Sequence, residues 1–297
     1  MTLQQIIDTT RYRLGNYEPP YHWIDSELVA YCNDILNTFC ERTLVLKDSS
    51  TTSVCELYAN SSNLDYSISS YILYIFSAKC VTSEILTLDT APSTAWAADD
   101  TITGATSGTT CVVLEKLSGL TYLVEQRSGA FTLGEVLSNG TYTADQSSTY
   151  PKMTIYSCSN LRKVMTNQQD VMFSAWRAAT AAEPTKYMVD YETGYLTLYP
   201  IPDQNYVIRL GVCRYPITAM TTTNMSSQTP AIDARYHNAI IDGICSLALL
   251  KRGEQTFDDN QAAIHMAKFE KAVSQAKIRR ILFEDSLLTV GAHGGFS

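Results

Sequence analysis

Near the start of the chain, hydrophobic residues recur at a helical period. From Trp23 to Thr43 (WIDSELVAYCNDILNTFCERT) apolar side chains fall at Leu28, Tyr31/Cys32, Ile35/Leu36 and Phe39, with Asn33, Asp34, Asn37, Thr38 and Glu41 opposite. That is the i, i+3/i+4 spacing of an amphipathic helix with one buried face. Asp25 is expected to cap its start, and Glu27 to sit against the positive end of the helix dipole. Trp23 and Ile24 are expected to staple the entering chain onto the first turn. Leu36 and Phe39 are expected to pack against helices from the far end of the chain. A shorter helix precedes it, with Leu3, Ile6/Ile7, Thr10 and Leu14 on one stripe and Gly15 where a left-handed C-terminal cap is common.

Beyond Leu44 the period shortens to that of strands. Val54/Leu57, Tyr66/Ile68 and Tyr71–Phe76 are β-branched and aromatic runs between polar turns. From Thr87 to Met153 the chain is dominated by Thr, Ser, Gly and Ala. Its short apolar runs (101–103, 111–114, 121–125 and 135–137) are separated by glycines at turn positions. This stretch, 87–153, is expected to be a small antiparallel barrel or sandwich inserted into a host domain made of 1–86 and 154–285.

The host resumes with a short helix or turn at Gln169–Trp176. It continues as a β-meander over Tyr187–Asp203 and Tyr206–Pro216, in which Glu192-Thr-Gly194 turns the hairpin. Pro200 and Pro202 end the strand that finishes at Tyr199. Two helices follow, Ala234–Arg252 behind Asp233 and Gln261 to about Phe283 behind Asp258-Asp259-Asn260. The second carries Ala262, Met266, Phe269, Val273 and Ala276 on one face. The expected class is therefore α+β, with the terminal helices forming a four-helix unit, a central antiparallel meander and an inserted all-β domain. Residues 286–297 read as a loose, Gly-rich tail. Its Leu287, Leu288, Val290 and Phe296 are apolar enough to order on a partner.

Composition adds exclusions. Hydrophobic residues make up 45 % of the chain, charged ones 18 %, and the formal net charge is −8, so a non-specific grip on nucleic acid is not expected. Eight cysteines occur without a C-x-x-C pair, which reads as reduced core residues rather than a zinc site or a disulfide framework. The polar N-terminus and the lack of a long apolar run predict neither a signal peptide nor a membrane span.

No catalytic, cofactor-binding or metal-binding site is expected. His22, His237, His265 and His293 lack ligand spacing, and Gly104-Ala-Thr-Ser-Gly108 is a turn rather than a G-x-S-x-G nucleophile elbow. Asp99-Asp100 and Asp258-Asp259 are adjacent carboxylates that point apart or sit at a helix start.

Three stretches carry a family resemblance. They are Trp23-Ile-Asp-Ser-Glu-Leu-Val-Ala-Tyr-Cys-Asn33, then Glu183-Pro-Thr-Lys-Tyr187 and Gly194-Tyr-Leu-Thr-Leu-Tyr-Pro-Ile-Pro-Asp203 with Cys213-Arg-Tyr-Pro216, and Ala231-Ile-Asp-Ala-Arg-Tyr-His-Asn-Ala-Ile240 leading into the long final helix. Together they resemble the head–tail adaptor (connector) proteins of tailed bacteriophages, the L-x-L-Y-P-x-P-D segment most specifically. The resemblance implies a virion structural protein, not an enzyme, synthesised in the host bacterial cytoplasm. It implies a homo-oligomeric ring, commonly of twelve copies, at the head–tail junction. Such a ring meets the portal protein on one side and a tail nozzle or tail tube protein on the other, and genomic DNA passes through without specific binding. It also implies that the C-terminal segment reaches the portal. The alternative expectation is a receptor- or carbohydrate-binding tail protein that works through the inserted module, marked by exposed aromatics around Trp96 and Tyr122.

Overall fold

The structure, a computed structural model, describes residues 1–16, 18–61, 63–148, 153–165, 180–189, 192–251 and 257–288, the last seven of these by their backbone. Among the described residues five α-helices, α1 (Leu3–Arg13), α2 (Asp25–Thr43), α3 (Thr52–Cys55), α4 (His237–Leu249) and α5 (Asp259–Leu288), accompany the strands in a mixed α+β fold. The strands discussed below are β1 (Glu56–Ala59), β2 (Asp65–Ser67), β3 (Ile72–Thr87), β4 (Thr101–Gly104), β5 (Thr110–Lys116), β6 (Thr121–Glu125), β7 (Val136–Ser138) and β8 (Thr143–Asp145). They continue with β9 (Thr154–Asn160), β10 (Arg162–Lys163), β11 (Lys186–Val189), β12 (Tyr195–Tyr199) and β13 (Tyr206–Arg214). The chain divides into two compact units, one of residues 1–47 with 213–297 and the other of residues 48–212.

In the first unit, α1 opens on a capping box. The Gln5 N–H donates to Thr2 Oγ1 (3.3 Å) and the Thr2 N–H to Gln5 Oε1 (2.9 Å). It closes with paired bonds from Gly15 N–H to the Tyr12 carbonyl (3.2 Å) and Asn16 N–H to the Arg11 carbonyl (2.9 Å). Gly15, at φ +66°, supplies the left-handed residue this ending needs. At the start of α2 the cap is Ile24 rather than Asp25. Ile24 has extended backbone (φ −74°, ψ 158°) and Asp25 is already the first helical residue. The Glu27 carboxylate accepts the Ile24 N–H (3.3 Å), while Asp25 pairs with Arg11 (2.8 Å). Ile24 points to solvent, 57 % exposed, so of the two expected apolar anchors of the entering chain the fully buried Trp23 is the one that packs.

The centre of this unit is α4, in which ten residues between His237 and Ala248 are buried. It packs on α1, α2 and α5. Gly243 lets α2 come close, since a Cβ there would stand 2.7 Å from Ile35 Cγ2. On α5 the buried stripe is Ala262, His265, Phe269, Val273 and Ala276, with Met266 half-buried. The helix runs on to Leu288, past the expected end near Phe283.

In the second unit, Val54 lies in the single turn of α3 and not in a strand. The run beginning at Tyr71 becomes β3, a strand of 16 residues that organises a large antiparallel sheet. The sheet order is β13-β3-β6-β5-β4-β7-β8, with β1 beside β13 and β9 beside β3. Pairing of β9 with β3 shifts register around Tyr156, which stands out of the ladder. The path from β3 to β8 returns to its own start. Asp89 N–H donates to the Asp145 carbonyl (2.9 Å), Ser147 N–H to the Thr87 carbonyl (3.1 Å), and Leu88 bridges Gln146. The curl encloses a core of Leu86, Trp96, Ile102, Val113, Tyr122 and Leu137, among others.

The expected three-strand meander is not formed. β11 and β12 pair as a hairpin, with Gly194 in its turn at φ +83°, but β12 continues to β2 in a separate four-stranded sheet, β10-β11-β12-β2. Strand β13 joins the large sheet instead. The reason lies in its sequence: every residue from Tyr206 to Cys213 is buried, so the strand needs cover on both faces. Pro200 and Pro202 interrupt the ladder before it. The expected element at Gln169–Trp176 lies outside the described residues.

Candidate functional site

Trp23, Leu36 and Phe39 are each buried inside the first unit. The Trp23 indole N–H donates to the Ala248 carbonyl (3.1 Å). Phe39 is fully buried between Tyr236, at 5.1 Å ring to ring, and Phe269, at 6.0 Å. Asp25 stays near the surface of the same unit on Arg11. Tyr199, Pro200 and Pro202 belong to the second unit. Pro202 is buried, and Lys186 Nζ lies 5.1 Å from the centre of the Tyr199 ring. Leu287 and Leu288 are the last residues of α5, helical where the sequence suggests a loose tail, and Val290 and Phe296 lie outside the described residues. The described residues of this set are thus divided between the two units.

Polar groups in the first unit are tied to its packing. Asp242 accepts from Arg13 (2.8 Å) and from His265 Nδ1 (2.8 Å), and Arg42 holds Glu270 through two bonds of 2.5 and 2.6 Å. His237 takes the Met1 ammonium at Nδ1 (2.9 Å) and reaches the Ile232 carbonyl through Nε2 (3.2 Å). Burial holds His237 below the usual imidazole range, because a charged ring there would lose its water.

The second unit holds a feature that sequence reading missed. Glu56, Glu84, Arg127 and Arg209 meet in the interior, none of their side chains more than 6 % exposed. Arg127 reaches Glu84 at 2.7 Å and Glu56 at 3.0 Å, while Arg209 reaches Glu56 at 2.6 Å and Glu84 at 2.8 Å. The Tyr58 hydroxyl donates to Glu56 (2.7 Å). Two cations and two anions alternate, so the cluster is neutral and each charge meets two of opposite sign. Burial acts to raise the Glu56 carboxyl, but Arg127, Tyr58 and Arg209 together outweigh it and hold it below the ordinary carboxylate range. Arg209 within Tyr206-Val-Ile-Arg-Leu and Glu84 within Val-Thr-Ser-Glu-Ile-Leu were the available signal, as charges in strands otherwise fit for burial.

A smaller carboxylate clasp explains the Gly104–Gly108 turn. Glu135 accepts the backbone N–H groups of Thr106 (2.9 Å), Ser107 (2.9 Å) and Thr132 (2.6 Å), and the Ser107 hydroxyl (2.7 Å). Burial alone would raise this carboxyl, and these donors more than reverse that and lower it. A side chain at 104 would strike Glu135, its Cβ standing 2.6 Å from Oε1. Ser107 thus serves the turn, its hydroxyl donating to the Glu135 carboxylate.

Seven of the eight cysteines are buried and none forms a disulfide. Burial pushes the thiols of Cys32, Cys40, Cys80, Cys111 and Cys245 up to about 12, so they stay protonated and unreactive at neutral pH. Among the described residues no group of three or more His, Cys, Asp or Glu side chains could hold a metal ion, and no helix is long and apolar enough to cross a membrane. Trp96 and Tyr122, the proposed mark of a carbohydrate-binding groove, are buried at 2 % and 0 % exposure with rings 5.0 Å apart. They fill the core enclosed by the curled sheet, so neither ring is an exposed aromatic of the kind that reading expected.

The family model described as SU10 adaptor protein matches residues 130–286, more than half of the chain. The match takes in the β11–β12 hairpin, β13 and both C-terminal helices; the Trp23 helix lies outside it. No curated protein matches the chain.

Proposed function

The chain belongs to the SU10 adaptor protein family, and from that premise we propose that this phage structural protein is the head-to-tail adaptor of its virion. Copies form a ring, twelve by the family resemblance, between the portal protein and the tail nozzle or tube, and genomic DNA runs through it. The observation that carries this reading is the family match across 130–286. The formal charge of −8 supports passage of DNA without adhesion.

Within this reading, residues 87–153 are an inserted surface module. Its support is local: entry and exit lie side by side, joined by the bonds between 87–89 and 145–147, as in a domain spliced into a host loop. The C-terminal residues beyond α5 are the portal contact, with Val290 and Phe296 as its apolar anchors.

Negative-stain microscopy and mass photometry of the purified chain, alone and mixed with portal rings, test the proposal. The expected result is a ring of chains stacked coaxially on the portal. Absence of any complex with portal rings overturns it.

A further inference from the structure

The outward faces of α2 and α5 carry opposite charge. On α5, Ile264, Lys271 and Ile278 follow one another at heptad spacing, flanked by Lys268 and Ile281. The three isoleucines are 48 %, 57 % and 50 % exposed, on the side opposite the buried stripe. Between Gln261 and Ile281 every exposed charged residue of this helix is basic, and its one acid, Glu270, is half-buried on Arg42. On α2 the exposed line is Ser26, Ala30, Asp34, Asn37 and Glu41, two acids and no base. At 1.5 Å per residue the α5 line spans about 26 Å and the α2 line about 22 Å. The two faces are thus similar in length, opposite in charge and complementary in bulk, large isoleucines against small Ser and Ala.

We propose that the outward face of α5 docks on the outward face of α2 in a second copy of this chain. Two different faces make the contact, so one copy keeps a free α2 face and the other a free α5 face, and the contact can propagate until it closes. Ile264, Ile278 and Ile281 are covered in the pair, and Lys268 and Lys271 meet Asp34 and Glu41. The inference rests on the adaptor reading for the expectation that copies meet, and it names the surface by which they do.

A charge exchange tests it on the full-length protein. One variant carries Asp34→Lys and Glu41→Lys, the other Lys268→Glu and Lys271→Glu; all four positions are exposed, and circular dichroism checks that both variants fold. Mass photometry and size-exclusion chromatography with light scattering read the assembly, with and without portal rings. Each variant alone is expected to lose the oligomer that wild type forms. An equimolar mixture is expected to recover it, since each reversed face then meets its reversed counterpart. Assembly of both single variants like wild type overturns the interface and leaves the adaptor reading standing. Loss confined to the α5 variant also overturns it and assigns the basic face to another acidic partner, DNA included. A wild type that stays monomeric on portal rings and in solution overturns the ring itself.

Discussion

Arg127 leaves water entirely to sit between two glutamates, and the cost of that transfer is met only while both pairings hold. Removing one member of a buried ion cluster leaves a charge without compensation, which costs roughly 3–5 kcal/mol. Arg127→Leu is therefore expected to lower the free energy of unfolding by about that amount in a urea titration. Pairing it with Glu84→Gln, which restores neutrality beside Arg209 and Glu56, should recover part of the loss. A melting transition unchanged by Arg127→Leu would mean that the cluster admits water. Glu135 gives the pH-dependent counterpart. Its folded carboxyl is lowered, so its contribution is fully present above the unfolded glutamate value of about 4.3 and is lost as pH falls through the folded value. Glu135→Gln, which turns an amide toward N–H donors, should destabilise by about 1–3 kcal/mol at pH 7. The gap from wild type should shrink steadily below about pH 4; a gap independent of pH would show that the carboxylate charge contributes nothing.

At the scale of elements, the helices of the first unit are fixed by a few close approaches. Phe39 is fully buried against Phe269 and Tyr236, and Phe39→Ala should cost about 3–5 kcal/mol, measured by thermal or chemical unfolding. Gly243 lets α2 approach α4 at Ile35. Gly243→Ala gains helix propensity of roughly 1 kcal/mol but forces a methyl into the Ile35 side chain. The net effect is expected to be destabilising, and Ile35→Ala in the same chain should relieve it. A Gly243→Ala variant more stable than wild type would show that Ile35 moves aside freely.

For the molecule as a whole, the span 87–153, proposed above as an inserted module, has adjacent ends but belongs to one compact unit with the rest of 48–212. Arg127 lies inside that span, while Glu56, Glu84 and Arg209 lie outside it. Replacing residues 89–151 by a short Gly/Ser linker should leave a folded protein of lower stability, and adding Glu84→Gln should raise its melting temperature. An insoluble product with and without Glu84→Gln would mean that the span is part of the host core. Because α5 extends to Leu288, truncation after Leu288 isolates the remaining segment without shortening the helix. The truncated chain should melt as wild type does yet fail to co-sediment with portal rings, and undiminished binding would exclude Val290 and Phe296 as anchors.

The sequence alone determined what depends on near neighbours in the chain. Helical periods placed α1, α2, α4 and α5, because a buried stripe repeats every three to four residues whatever covers it. Turn glycines such as Gly15 and Gly194 were legible because positive φ selects their type. Even locally the reading had a limit, since Asp25 has the residue type of a cap while the backbone began the helix one residue earlier. Tertiary structure decided the rest. It sent β13 to the large sheet, because burial on both faces can be met only by strands distant in the chain. It joined Glu56, Glu84, Arg127 and Arg209, whose value to one another exists only once all four are in one place. It turned Trp96 and Tyr122 inward, since an aromatic residue looks the same in sequence whether its ring faces a ligand or a core.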